Sequence, residues 1–266
     1  MKLVDAHNHL QDARLHDYRS EIIAECKRLS VAYAVVNGTR PSDWPLVTAL
    51  AESHLWILPS YGVHPWYVED LPSSWADDLE SALQTKGAVI GEVGIDHWKE
   101  GIDRDLQEEV FLKQMRLARK LELPVTIHGL RAWERLLELL RAHGVPARGF
   151  LLHSYSGPAH LIRPFAELGA YFSCAPAFLE SSRSKKFGVF KEVPIERLLP
   201  ETDAPDQCPP VELEQNRLQG VDGARLNHPT SIVAVYDGLS QLLAVPPREL
   251  GERLFDNFQR LFRPLT

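Results

Sequence analysis

Short apolar runs rich in Val, Ile, Leu and Tyr recur along the chain, each followed by a turn and then by a longer stretch with apolar positions at helical spacing. Eight runs fit strands: 3–10, 31–38, 57–64, 88–96, 124–128, 149–154, 170–175 and 198–203. Helical patterns lie between them at 18–29, 44–53, 75–86, 104–122, 132–143 and 159–168, stopping near Gly or Pro. The segment 178–193 is the weakest, and its Ser181-Ser182-Arg183-Ser184-Lys185-Lys186 tract reads as a solvated polar face in preference to a phosphate-binding patch. Residues 205–227, rich in Pro, Asp and Gln, read as a long loop over the strand ends, with helices at 231–243 and 247–261 after it.

This alternation predicts an α/β fold, a single (β/α)8 TIM barrel over residues 1–266, and such barrels typically take about 250 residues. A doubly wound sheet is the alternative. Its nucleotide-binding turn needs Gly-x-Gly-x-x-Gly, whereas the turn after the first run carries His7-Asn8-His9. No internal repeat or composition shift marks a linker.

Charge narrows the partners. The 29 Lys and Arg against 36 Asp and Glu leave a net −7, so bulk electrostatics gives no help to binding nucleic acid or anionic membrane. No run of 18 apolar residues occurs, and Asp5 and His7 stand where a signal peptide needs an apolar segment. The expectation is a cytoplasmic protein with no membrane association and no obligate protein partner. Cys26, Cys174 and Cys208, odd in number and far apart, read as reduced thiols and not as a disulfide or thiolate zinc site.

The histidines carry more. His7 and His9 are two residues apart, and on a strand that spacing points both rings to one face, as a metal chelate requires, although paired histidines also occur as ordinary polar surface. Glu92 lies inside the apolar fourth run, where an unpartnered buried polar group costs about 2–7 kcal/mol, so it needs either a salt bridge or a metal cation. His128 and His153 end the fifth and sixth runs, and Asp203 ends the eighth, where it could also be a turn former. Jointly, these six residues all fall at the carboxyl ends of barrel strands, the face where such barrels build their sites. Nitrogen and oxygen donors suit Zn, Mn, Co, Fe or Ni, and less comfortably Mg. Six ligands exceed one closed site, so the count predicts two divalent ions bridged by Glu92, with a shared water becoming hydroxide near neutral pH.

Several motifs in order, Asp5-Ala6-His7-Asn8-His9-Leu10, Gly62-Val63-His64-Pro65, Gly91-Glu92-Val93-Gly94-Ile95-Asp96, Ile127-His128, His153-Ser154-Tyr155-Ser156-Gly157 and Glu201-Thr202-Asp203-Ala204-Pro205, resemble those of the TatD family across nearly the whole chain. The resemblance implies an amidohydrolase-type barrel and a metal-dependent hydrolase, with deoxyribonucleases among its characterised members. It also implies His7 and His9 on one metal, His128 and His153 on the other, Glu92 between them, and Asp203 as metal ligand and acceptor of the water's proton. His64 matches a position near the scissile group. Two departures bear on the substrate: Leu130 stands where the family has an arginine, and Asp206 where it has an aromatic, which adds an acid at the pocket mouth.

The functional expectation is therefore a two-metal phosphodiesterase or deoxyribonuclease acting on DNA or a small phosphodiester. Amide or ester hydrolysis at the same site is the alternative, and a non-catalytic metal-binding barrel a further one. Among the tryptophans, Trp66 and Trp98 follow strand ends and are the candidates to meet substrate. His97 is expected to line the rim, and His228 to be structural.

Overall fold

The computed structural model describes residues 1–262; residues 263–266 of the expected unit lie outside the described residues. Eight parallel strands, β1 (Leu3–Asn8), β2 (Val31–Asn37), β3 (Ile57–Tyr61), β4 (Val89–Asp96), β5 (Val125–Leu130), β6 (Phe150–Leu152), β7 (Ala170–Cys174) and β8 (Leu198–Pro200), pair in sequence order. Helices α1 (Arg19–Arg28), α2 (Trp44–Ser53), α3 (Trp75–Ala82), α4 (Arg104–Leu121), α5 (Trp133–His143) and α6 (Ile162–Glu167) supply the crossovers.

The β1–β8 seam is joined just past the ladder. Asp203 N–H donates to the His7 carbonyl at 2.9 Å and His9 N–H to the Ala204 carbonyl at 2.8 Å. The Asp5 carboxylate crosses the same seam, accepting from Thr202 N–H at 2.9 Å and Thr202 Oγ1 at 2.6 Å. Burial pushes the Asp5 carboxyl up to about 7 against these donors. The result is an amidohydrolase-like TIM barrel.

The barrel interior divides into an apolar floor and a polar roof. Val4, Ala6, Val35, Leu58, Val89, Leu151, Tyr171 and Leu199 form one apolar cluster with Phe258, Leu261 and Phe262 of the last helix, α9 (Pro247–Phe262). Asn257 Nδ2 ties that helix down by donating to the carbonyls of Ile195 and Leu198 at 2.7 and 2.8 Å. Glycine lets the β4–β5 pair close: Gly94 has φ +150°, and a Cβ there would lie 2.0 Å from the His128 carbonyl oxygen.

Several expected segments change. The stretch 178–193 is a series of short turns around α7 (Ser184–Gly188). The expected loop 205–227 contains a small antiparallel ladder, β9 (Leu218–Gln219) with β10 (Arg225–Leu226), closed by the turn at Asp222-Gly223. The next helix, α8 (Ile232–Leu243), follows a turn capped by His228, whose Nδ1 accepts from Thr230 N–H. No helix among the described residues is long and apolar enough to cross a membrane, and the three cysteines are free thiols.

Candidate metal centre

All six residues expected as ligands converge at the carboxyl end of the barrel, but three reach it from outside the strands: His153 is the first residue after β6, and His9 and Asp203 lie beyond β1 and β8. β1 ends at Asn8, with a register irregularity between Asp5 and Asn8, so simple strand alternation does not place His9. Its ring is aimed by a hydrogen bond between Nδ1 and the Asn37 carbonyl at 2.8 Å. Asp203 lies three residues past β8 with φ +53°, a left-handed conformation that costs a non-glycine residue energy and turns its carboxylate back over the barrel.

Glu92 is the hub. Its Oε2 lies 3.5 Å from His7 Nε2 and 3.3 Å from His9 Nε2. Its Oε1 lies 3.0 Å from His128 Nδ1 and 2.8 Å from His153 Nε2. Asp203 Oδ1 sits 3.4 Å from both His7 Nε2 and His9 Nε2. Hence one carboxylate presents a separate oxygen to each histidine pair.

The partners on the far side of each ring decide where the lone pairs point. His9 Nδ1 faces a carbonyl, which can only accept, so the proton sits on Nδ1 and the Nε2 lone pair of the neutral ring faces the carboxylates and His7 Nε2, 3.2 Å away. Likewise His128 Nε2 donates to Asp96 Oδ2 at 3.0 Å, which aims the Nδ1 lone pair at Glu92 and at His153 Nε2, 3.2 Å away. Lone pairs and carboxylate oxygens thus converge in a buried space with too few protons between them, which is the electrostatic demand a divalent cation meets. Without a cation the rings answer by holding protons. Burial alone would depress His9, His128 and His153, but Asp203 and Glu92 for the first, Asp96 and Glu92 for the second, and Glu92 and Glu201 for the third raise all three. Burial pushes Glu92 upward, yet the charge of His153 foremost, with the hydrogen bond from His128, outweighs it and holds its carboxyl low. Asp203 is held low in the same way, the hydrogen bonds from His7 and His9 overcoming its burial.

Three groups bring donor atoms within 4.8 Å of one another: His7, His153 and Asp203; His7, His9 and Glu92; and His64, Glu92 and His128. The third is a poorer metal site on tautomer grounds. His64 Nδ1 accepts from Trp66 N–H at 3.1 Å, so the neutral ring carries its proton on Nε2 and points it at Glu92 Oε1, 3.4 Å away. Burial pushes His64 down to about 4, which keeps it neutral.

Sequence reasoning passed over the supporting groups. Asp96 bonds His128 and also Trp66 Nε1 at 2.7 Å, and it accepts from the backbone of Trp98 and Lys99. Glu201, fully buried, lies 3.6 Å from His153 Nδ1 and accepts from Ser173 Oγ. Both are acids at strand ends, the signal that singled out Asp203, but their partners come from other strands. Asp206 does not stand as a bare acid at the mouth: Arg14 pairs with it through both guanidinium nitrogens, at 2.9 and 2.8 Å. Trp98 is half exposed beside the site, whereas Trp44, Trp75 and Trp133 are core residues.

A family model described as TatD related DNase matches residues 4–263. The metal-dependent hydrolase YabD of Bacillus subtilis (strain 168) is 30% identical over 268 residues, covering 98% of this chain and 99% of its own. The human deoxyribonuclease TATDN3 is 26% identical over 279 residues, with 99% and 95% covered. The crystal structure of YjjV, a TatD homologue from Escherichia coli K12, superposes with a TM-score of 0.88 at 25% identity, over 98% of this chain and 97% of that one. Fold and site together define a metal-dependent hydrolase on a TIM barrel. The chain belongs to the TatD related DNase family.

Proposed function

We propose that this chain, acting as one catalytic unit, hydrolyses phosphodiester bonds, with DNA as the substrate class, using two divalent ions drawn from Mg, Mn, Zn, Co or Ni. The observation that carries the two-ion reading is Glu92, whose two oxygens face different histidine pairs. His7 and His9 would hold one ion with Asp203 beside them, and His128 and His153 the other. Ions bound there supply Lewis-acid polarisation of the substrate oxygen and lower the pKa of a coordinated water. Asp203, kept ionised, takes the proton of the attacking water at a carboxylate oxygen. His64 Nε2–H, now directed at Glu92, would donate to an oxygen of the bound substrate. The deoxyribonuclease assignment leans on the family and on the name of TATDN3.

The test uses metal-reconstituted protein and end-labelled single-stranded DNA, with Asp203→Asn prepared identically. The expected result is label release by the parent, a loss of about 10²-fold or more in the variant, and at least one ion retained by the variant in elemental analysis. No release by metal-loaded parent protein would overturn the nuclease reading and direct attention to acyl esters.

A further inference from the structure

The rim of the site is not uniformly charged. After β1 and β8 its cation, Arg14, is consumed by Asp12 and Asp206. Further round the rim, after β2 and β4, Arg40 and Lys99 form no ion pair with a carboxylate among the described residues, and both are seated on aromatic rings. The Arg40 guanidinium lies 4.5 Å from the Tyr67 ring centroid and Lys99 Nζ 4.3 Å from that of Trp66. Those rings are neighbours in one turn, Pro65–Tyr67, that directly follows His64. Strand order puts β3, which leads into His64, between β2 and β4, so the two cations bracket that residue.

Both seats are fixed to the reacting centre. Trp66 Nε1 and the backbone of Lys99 bond the same Asp96 carboxylate that holds His128. The loop of Arg40 is pinned by the Asp43 carboxylate, which accepts from Thr39 N–H and Oγ1, and His64 N–H donates to the Thr39 carbonyl. A surface lysine or arginine free in solvent loses side-chain freedom on binding an anion; these two have part of that freedom removed beforehand.

We propose that Arg40 and Lys99 form an anion clamp that binds a second negative group of the substrate, next to the bond cleaved over Glu92. This rests on the hydrolase reading above and makes it narrower: preferred substrates carry a phosphate or carboxylate beside the scissile ester. The Asp12 and Asp206 part of the rim, where two carboxylates share one guanidinium, sets the orientation, since an anion there meets an arginine already paired.

The test compares metal-loaded protein on thymidine 5′-(p-nitrophenyl phosphate) with the same compound bearing a 3′-phosphate or a 3′-succinyl group. The expected result is a kcat/KM at least about tenfold higher with the 3′-phosphate, as one charge-assisted contact supports. The preference should fall to near one in R40A/K99A and survive in R40K/K99R. A succinyl compound turned over like the phosphate assigns the clamp to anions in general, and one turned over like the parent compound assigns it to phosphate. If no compound is hydrolysed, the hydrolase reading fails by itself, and calorimetric affinities for thymidine 3′,5′-bisphosphate against thymidine 5′-phosphate decide the clamp. No preference in the parent protein, or one that persists in R40A/K99A, overturns it.

Discussion

Asp96 shows how far one carboxylate can organise a site. It bonds the far nitrogen of His128, an indole N–H and two backbone amides, and His128 with the other donors keeps it ionised despite its burial. Replacing it by Asn keeps the volume but removes the charge that would make the His128 ring a more electron-rich donor to a metal ion. Asp96→Asn is therefore expected to weaken metal binding about 10–100-fold, read by titrating the apo protein with a divalent ion, with the fold intact by circular dichroism. His9 depends instead on the backbone carbonyl of Asn37, an acceptor that belongs to the main chain and not to a side chain. At this scale the residue types were legible from the sequence: a His-x-His pair on one run, an acid inside an apolar run, and histidines or an acid ending others picked out His7, His9, Glu92, His128, His153 and Asp203. The groups behind them were not, because a carboxylate reads as a ligand or as a buttress only once the neighbouring strand is known.

Elements decide which of these side chains can meet. The floor of the barrel is sealed by α9, whose Phe258 is fully buried against strand residues such as Leu199 and Val35. Phe258→Ala should cost about 3–5 kcal/mol in urea denaturation, the range for truncating a buried aromatic. The turn before α8 carries a pH dependence. His228 is buried and accepts from Thr230 N–H, and burial pushes it from 6.5 down to about 4. Above pH 6.5 both folded and unfolded chains hold it neutral; as pH falls through that value the unfolded chain takes up a proton the folded chain refuses, and stability is lost toward pH 4. Between pH 7 and 5 this group accounts for about 2 kcal/mol. His228→Asn, which keeps a capping oxygen, should show a shallower loss over that interval by urea melts at both pH values. Helix and strand positions were mostly legible from periodicity. The 205–227 ladder was not, because two-residue strands carry no period.

At the scale of the whole molecule, the carboxyl face concentrates charge that the rest of the fold must tolerate. Two ionised carboxylates and the histidine lone pairs oppose one another across distances near 3 Å, so bound cations should stabilise the folded chain as a whole. Adding metal to apo protein at about 100 times its dissociation constant is expected to raise stability by about 2.7 kcal/mol per site. Thermal melts before and after chelation test this, and an unchanged midpoint would count against a resident metal. The net charge of −7 describes this surface poorly, because the mouth is divided into an acidic side, where Asp12 and Asp206 share Arg14, and a cationic side at Arg40 and Lys99.

The sequence by itself determined the eight barrel strands, most of the helices, the parallel barrel and the donor atoms, because hydrophobic period and the polarity of strand ends are local properties. It also carried the ordered motifs that mark the family. Tertiary structure alone decided the rest: that Glu92 presents one oxygen to each histidine pair, that His9, His153 and Asp203 arrive from beyond their strands, and that Asp206 is paired with Arg14. Each of these depends on which strand lies beside which and on the direction of a hydrogen bond between residues far apart in the chain. Such a bond exists only once the barrel has closed.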